Sequence, residues 1–457
     1  MSERKESPAD WNIIEFHKSL ISIIDFRGKT PLKIGLDWCD GEIPALSANN
    51  VEMGKINLNK ETNFGNEHLY RKWMKKGDCE KNDVLMTMEA PLGNIAYIPD
   101  NRKYILSQRV VLFKTKPNID KVFFKYSLMS RYFQKELVRN STGSTATGIQ
   151  QKKLFKINIV LPKDAEQRAM AAVFETIDEG IEATEKIIAK RRRVKEGLMQ
   201  DLFSYGLDEK GNLRSEATHR FKDSLLGRIP EDWDVFLVGD LLKKGILSGV
   251  QDGNHGEAHP KNCDFVDEGI PFIMASDISQ NKIDFINCKK ITLQQYKTLR
   301  IGFSKPDDVL LSHKASIGFT AIVLRNVPEI MLTPQVTYYR ISKKDDLFYK
   351  YLFYFFQNKI FQRMLDNLAK QSTRNYIGIL AQRKLFIAYP RIIKEQSRIV
   401  AVLTAADETI EKEEAVLEKL KSQKRGLMED LLTGQVRVTN NMIKQYETEG
   451  VLNVRAN

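Results

Sequence analysis

Lys195-Glu196-Gly197-Leu198-Met199-Gln200-Asp201-Leu202 and Lys424-Arg425-Gly426-Leu427-Met428-Glu429-Asp430-Leu431 are nearly the same octapeptide, met twice in one chain. Reading backwards from each, a second regularity appears. Phe174, Ile177, Ile181, Thr184, Ile188, Arg191, Lys195, Leu198 and Leu202 stand at alternating spacings of three and four. Leu403, Ala406, Ile410, Glu413, Leu417, Leu420, Lys424, Leu427 and Leu431 repeat the same spacings. This is the pattern of a coiled-coil seam. A helix with such a stripe has to bury it, and each of these helices finds its matching partner in the other. Two long helices packed against one another are therefore expected.

The duplication extends outward from the helices. Pro8-Ala9-Asp10-Trp11 corresponds to Pro230-Glu231-Asp232-Trp233, and Asn82-Asp83-Val84-Leu85-Met86 to Asp307-Asp308-Val309-Leu310-Leu311, with Gly93 matching Gly318. A strand follows in each half, Val110-Val111-Leu112-Phe113 and Val336-Thr337-Tyr338-Tyr339. Next come aromatic-rich helical stretches, 122–137 and 347–365, and a polar loop, 140–147 or 370–375. Each half then reaches a proline, Pro162 or Pro390, and a Glu-Gln pair, Glu166-Gln167 or Glu395-Gln396. Between the halves, Gly206 to Leu226 is polar, with a turn cluster at Asp208-Glu209-Lys210-Gly211-Asn212, and reads as a linker. The segment from Thr439 onward is polar and is expected to be mobile.

Two domains also suit a chain of 457 residues, and 42% hydrophobic residues suffice for packed cores. The formal charge of +12 favours polyanionic partners. No stretch approaches the roughly 20 apolar residues of a membrane span, and the opening MSERKESPAD has no apolar signal core, so a cytoplasmic location and no membrane partner are expected. Cys39, Cys79, Cys263 and Cys288 are scattered without metal-ligand or redox spacing, which points away from structural zinc and disulfides.

This order of landmarks resembles the specificity subunit of Type I restriction-modification systems. The connector Gly206-Leu207-Asp208-Glu209-Lys210-Gly211-Asn212-Leu213-Arg214, the run His219 to Ser224 and Gly227-Arg228-Ile229-Pro230-Glu231-Asp232-Trp233 look like that family's central conserved region. Leu431-Leu432-Thr433-Gly434-Gln435-Val436-Arg437-Val438 resembles its distal one. Ser7-Pro8 departs from the usual Ile-Pro. The resemblance implies an α+β chain with two tandem target-recognition domains of mixed α/β character. The long helices between them would form an antiparallel coiled coil, giving an internal repeat with pseudo-twofold symmetry. The divisions expected are 1–162 and 227–390 for the recognition domains, with 163–226 and 391–457 as helical regions. It further implies a non-catalytic subunit that binds double-stranded DNA and assembles with modification subunits, two of them, and with restriction subunits. S-adenosylmethionine, ATP and Mg²⁺ would be used by those partners and none would be bound by this chain. The alternatives are a specificity subunit of a related restriction or methylation complex, and a coiled-coil scaffold without sequence preference.

Seams of about 29 residues span roughly 43 Å, on the order of 12 base pairs between the centres of two half-sites. The helices would then act as a ruler between two unlike half-sites. In such a reader Lys and Arg neutralise phosphates while polar side chains reach base edges. Candidate phosphate contacts are Arg27, Lys29, Arg71, Lys72, Lys75 and Lys76 in the first half, and Lys314 and Arg374 in the second. Candidate base readers are Gln108 and Arg109, with Ser144, Thr145, Thr147, Gln150 and Gln151 in the polar loop. Their second-half counterparts are Gln335, Ser372, Thr373, Asn375 and Tyr376. The run Lys190-Arg191-Arg192-Arg193 offers a weaker DNA-contacting face.

Two suggestive motifs fail on spacing. Gly28-Lys29-Thr30 lacks the upstream glycine of a phosphate loop, since Ile23 stands there, and Pro31 follows. His255-Gly256-Glu257-Ala258-His259 has its glutamate one place off the zinc-protease pattern and lies between Gly253 and Pro260. No Asn-Pro-Pro-aromatic or Asp-Pro-Pro-aromatic segment for methylating adenine is present.

Overall fold

The computed structural model describes residues 8–27, 30–38, 41–143, 147–255, 259–327, 329–370 and 376–455, with side chains to Thr448. The chain divides into two compact units, Met1–Glu185 with Ala415–Asn457, and Lys186–Glu414. The division falls inside both long helices, Asp164–Tyr205 and Ile393–Thr433. Each unit therefore owns part of each helix.

The centre of the first unit is an antiparallel sheet in the order Leu20–Asp25, Val110–Thr115, Val84–Met88, Leu92–Tyr97. Its strands alternate cleanly. Val84, Met86, Met88, Val111 and Phe113 enter one apolar cluster, while Leu85, Val110 and Leu112 enter another on the opposite face. Period-two side chains with both faces apolar make the sheet a buried middle layer. The second unit repeats this order with Leu247–Asp252, Val336–Ile341, Val309–Ser312 and Thr320–Ile322. Val309 and Leu311 face one cluster and Leu310 the other. Each unit adds a smaller sheet containing one parallel pair, Ile43–Leu46 with Ile105–Leu106, and Ile270–Ile273 with Ile330–Leu332.

The aromatic-rich stretches after these sheets are helical, and each folds as two helices. Lys121–Met129 stops at Ser130, whose hydroxyl accepts from the Phe133 N–H at 3.2 Å and starts Arg131–Arg139. Tyr349–Gln357 stops at Asn358, which accepts from the Phe361 N–H at 2.9 Å and starts Lys359–Lys370. A side-chain acceptor at the N-cap satisfies an otherwise orphaned donor, so each turn forms without loss of the apolar face.

The long helices are 42 and 41 residues, about 60 Å each, longer than the seam alone suggests. The excess lies mainly at their starts, where Ala169 and Met170, or Ile399 and Val400, are buried in the domain cores. In the first unit Asp178 pairs with Lys424 at 2.5 Å and Glu185 with Lys421 at 3.4 Å. Rising numbers on one helix meet falling numbers on the other, so the helices run antiparallel. In the second unit Arg191 meets Glu413 at 2.9 Å and Arg192 meets Glu414 at 2.6 Å, and one turn on, Lys195 meets the lower-numbered Asp407 at 2.6 Å, again the antiparallel sense. Along the seam Ile188, Leu202, Leu403, Ile410 and Leu431 are buried, while Ile177, Ile181, Leu198, Leu417, Leu420 and Leu427 are half-buried.

Both helices end at a glycine with left-handed backbone, Gly206 at φ 67° and Gly434 at φ 74°. The segment after Gly206 is ordered, not a free linker. Asp208 accepts from the Lys210 and Asn212 N–H groups, closing the turn, and Leu207 and Arg214 are buried. The expected mobile tail is also replaced by structure. Asn440–Arg455 is a helix whose Met442, Ile443 and Tyr446 pack on the first unit's core, and Arg168 donates to the Tyr446 carbonyl at 2.9 Å. Three apolar residues on one face suffice to dock a helix that is polar on average. Among the described residues no helix is long and apolar enough to cross a membrane.

Candidate nucleic-acid interface

Each central sheet has a tethered end and a free end. At the tethered end of the first, Gln167 of the long helix accepts from the Asp120 N–H at 3.0 Å and donates to the Asn118 carbonyl and the Pro162 carbonyl. Gln396 does the same in the second unit, accepting from the Phe348 N–H and donating to the Asp346 and Pro390 carbonyls. The buried carboxylates Asp83, paired with Lys114 and Lys121, and Asp308, paired with Arg340, lie at this end.

Two further sets of residues bind the helices to the domains, and sequence reasoning passed over both. Glu166 accepts from the Trp11 indole at 3.0 Å and from Arg437 at 2.6 and 2.7 Å, and Arg437 also grips Asp10. Glu395 accepts from the Trp233 indole at 3.2 Å, the Leu207 N–H at 3.0 Å and Arg214 at 2.7 Å, and Arg214 also grips Asp232. Burial raises the Glu395 carboxyl above the ordinary range, and Arg214 only partly offsets it. Tyr126 donates to Asp178, which holds Lys424, and Tyr354 donates to Asp407, which holds Lys195. The visible signal was the duplication itself: Trp, Glu, Asp and Tyr recur at matched places in both halves.

The free ends carry several of the expected readers. In the first unit Gln108 and Arg109 line a polar cleft of about 460 Å³, together with Trp38, Asn49, Asn63 and Asn94. Arg109 adopts φ 67°, a conformation that branched or bulky residues avoid, and its guanidinium lies 3.4 Å from Glu89. The polar loop is stitched to the same edge. Gly148 bridges Glu89 and Thr142, and the Ile149 N–H donates to the Met88 carbonyl at 3.2 Å. Thr147 and Gln150 are exposed and Gln151 is half-buried at the start of the short helix Gln151–Leu154. Ser144 and Thr145 lie outside the described residues.

The basic candidates of the first unit form a different group. Trp73 stacks on Phe26 at 5.1 Å, which brings the helix Glu67–Trp73 to the end of the strand Leu20–Asp25, just before Arg27. Arg27 is clamped by Asp25, and Lys76 donates to the Asp25 carbonyl at 2.7 Å. Arg71 is paired with Glu67, while Lys72 and Lys75 are exposed. None of Arg71, Lys72, Lys75 and Lys76 lines the cleft, and Lys29 lies outside the described residues.

In the second unit Lys314 and Tyr376 form an antiparallel bridge, the ammonium 5.9 Å from the ring centre. Beneath them His313 is fully buried, its Nδ1–H donating to the Ile377 carbonyl at 3.0 Å. Burial pushes the imidazole down to about 4, so it is neutral at physiological pH. Gln335 sits at the same edge but spends its side-chain oxygen on the Ala275 N–H at 3.2 Å. Ser372, Thr373, Arg374 and Asn375 lie outside the described residues. In the run Lys190–Arg193, Arg191 and Arg192 are committed to helix-pair ion pairs, leaving Lys190 and Arg193 exposed. His255 contacts Asp252 at 2.7 Å, and the His259 ring lies 3.1 Å from the Asn254 carbonyl.

A family model described as Type I restriction modification DNA specificity domain matches twice, at residues 9–190 and 230–422. The Type I restriction enzyme MjaVIII specificity subunit of Methanocaldococcus jannaschii is 24% identical over 449 residues, 95% of this chain and 94% of that one. The putative MjaX specificity subunit of the same organism is 24% identical over 454 residues, 96% of each chain. Among solved structures, the S subunit of a Type I restriction-modification system from M. genitalium aligns with a TM-score of 0.53 at 14% identity, covering 94% of this chain and 98% of that one. A chain from a structural study of complex assembly and conformational transition in the type I R-M system aligns with a TM-score of 0.55 at 16% identity, covering 94% and 100%. At these identities the structural likeness concerns the fold.

Proposed function

Because the chain belongs to the Type I restriction modification DNA specificity domain family, we propose that it is the sequence-reading subunit of such a complex, each recognition domain binding one half of a bipartite, asymmetric DNA site. The observation that carries this reading is the doubled recognition unit, in which two sheets of matching strand order carry different residues at the matched end, Gln108 and Arg109 in the first and Lys314, Gln335 and Tyr376 in the second. The two halves share architecture and anchoring residues while their exposed loops differ, so the half-sites they select differ.

Affinity arises from Lys and Arg on phosphates and is sequence-independent, while selectivity arises at the free ends. Lys72 and Lys75, exposed beside the Arg27 and Lys76 cluster, supply phosphate contacts in the first domain. The chain reads and does not catalyse. Modification subunits, two per chain, dock along the long helices and use S-adenosylmethionine; restriction subunits use ATP and Mg²⁺. The helices set the gap between half-sites through the turns that lie between their core-packed starts and core-packed ends, Ala169 and Leu202 on the first and Ile399 and Leu431 on the second.

Selection of bound duplexes from a random library by the complex with its modification subunits tests this. Two short unequal motifs at a fixed gap are expected, and their absence refutes the reading. Removing one heptad from each helix, about 10.5 Å, shortens the gap by roughly three base pairs at 3.4 Å per step; an unaltered gap refutes the spacer role.

A further inference from the structure

At the free end of each sheet, one position of the repeat carries opposite charge in the two domains. Glu89 follows the strand Val84–Met88 and Lys314 follows Val309–Ser312 within one residue of the same place. Each is succeeded by an alanine of left-handed backbone, Ala90 at φ 41° and Ala315 at φ 65°, and then by Gly93 at φ 87° or Gly318 at φ 91°. Each makes an isolated antiparallel bridge to the segment before a four-residue helix, Glu89 to Gly148 and Lys314 to Tyr376. Their side chains are partly exposed, with Glu89 3.4 Å from Arg109 and Lys314 above the Tyr376 ring. Matching backbone, matching bridge and opposite charge define one structural position with two chemistries.

Resting on the DNA-reading function above, we propose that Glu89 and Lys314 are equivalent base-reading residues that make the two half-sites differ at one corresponding position. A carboxylate only accepts hydrogen bonds and an ammonium only donates them. In the major groove the complementary edges are the amino group of cytosine or adenine for Glu89, and O6 and N7 of guanine for Lys314. Phosphate contact is closed to Glu89, because like charges repel. Arg109 neutralises part of the carboxylate and leaves lone pairs directed elsewhere. Glu89 therefore selects an amino-bearing base in the half-site of the first domain, and Lys314 selects guanine in the half-site of the second.

The test is duplex selection by the complex with its modification subunits, comparing wild type with Glu89→Met, Lys314→Met and Lys314→Arg. Glu89→Met, which removes the acceptor, relaxes the preference at one base pair of one half-site by about tenfold or more, with the other half-site untouched. Lys314→Met relaxes one guanine in the other half-site, and Lys314→Arg retains it. Uniform weakening on all sequences with a shallower salt dependence would identify phosphate contacts and overturn the proposal, as would motifs unchanged by both variants. A wild-type complex without any sequence preference refutes the underlying function itself, so the two failures are distinguishable.

Discussion

Replacing Arg214 by Met isolates the contact that closes the second domain onto the end of the first long helix. Glu395 is wholly buried, and Arg214, itself only 8% exposed, is its sole cationic partner among the described residues. The substitution preserves the aliphatic stem but leaves a carboxylate in the interior with only the Trp233 indole and the Leu207 N–H as donors. Removing one partner of a buried ion pair costs about 3–5 kcal/mol, a large share of the stability of one domain. Adding Glu395→Gln removes the orphaned charge while keeping an acceptor for both donors, so the double variant recovers most of the loss. The pH dependence has a definite sign. Burial already raises the Glu395 carboxyl in the folded state, and loss of the guanidinium raises it further. A raised carboxyl contributes stability that is full below its unfolded value and lost as pH rises through the folded one. The deficit of Arg214→Met relative to wild type is therefore small in acid and grows toward neutrality. Urea unfolding of the two single variants and the double variant across that range measures it. A deficit below about 1 kcal/mol, or a double variant as unstable as the sum of the singles, would refute the argument.

Lys125 makes a second pH test, in the first domain. It is 1% exposed, over the rings of Tyr97 and Tyr126 at 4.2 and 4.0 Å, and burial brings it down to about 8 despite Asp178. The unfolded chain binds more protons at this group above that value, so wild type should gain about 2 kcal/mol on Lys125→Met between roughly pH 7.5 and 9.5; a parallel pH dependence of the two proteins contradicts this. Asp178→Ala strands the Tyr126 hydroxyl and the Lys424 ammonium and should cost about 1–3 kcal/mol, with faster hydrogen exchange in residues 415–432. Asp407→Ala should produce the corresponding loosening at residues 186–202, and protection that stays unchanged in both variants would contradict the anchoring role of these carboxylates.

The repeat, the helix pair and the main strands are legible because each is written in a local period that a single chain displays. The breaks at Ser130 and Asn358 are not, since a polar residue on an amphipathic helix looks the same whether it is solvated or capping. The terminal helix escapes for a related reason: Met442, Ile443 and Tyr446 gain their meaning only from the core they meet. Gln108 and Arg109, chosen as base readers, and Lys314, chosen as a phosphate contact, lie at the sheet ends opposite the helices, but Gln335 shows the limit of choosing by residue type, its oxygen being committed to Ala275 by a contact between distant segments. Glu89 is invisible to a search for cations and emerges only when its strand is laid over that of Lys314.

The most direct test is to exchange residues 12–160 for the corresponding domain of another family member and sequence the methylome of a host carrying the hybrid. The account requires that one half of the modified motif change while the other half and the gap stay as they were. A motif altered in both halves, or in neither, would show that the two domains do not read DNA independently.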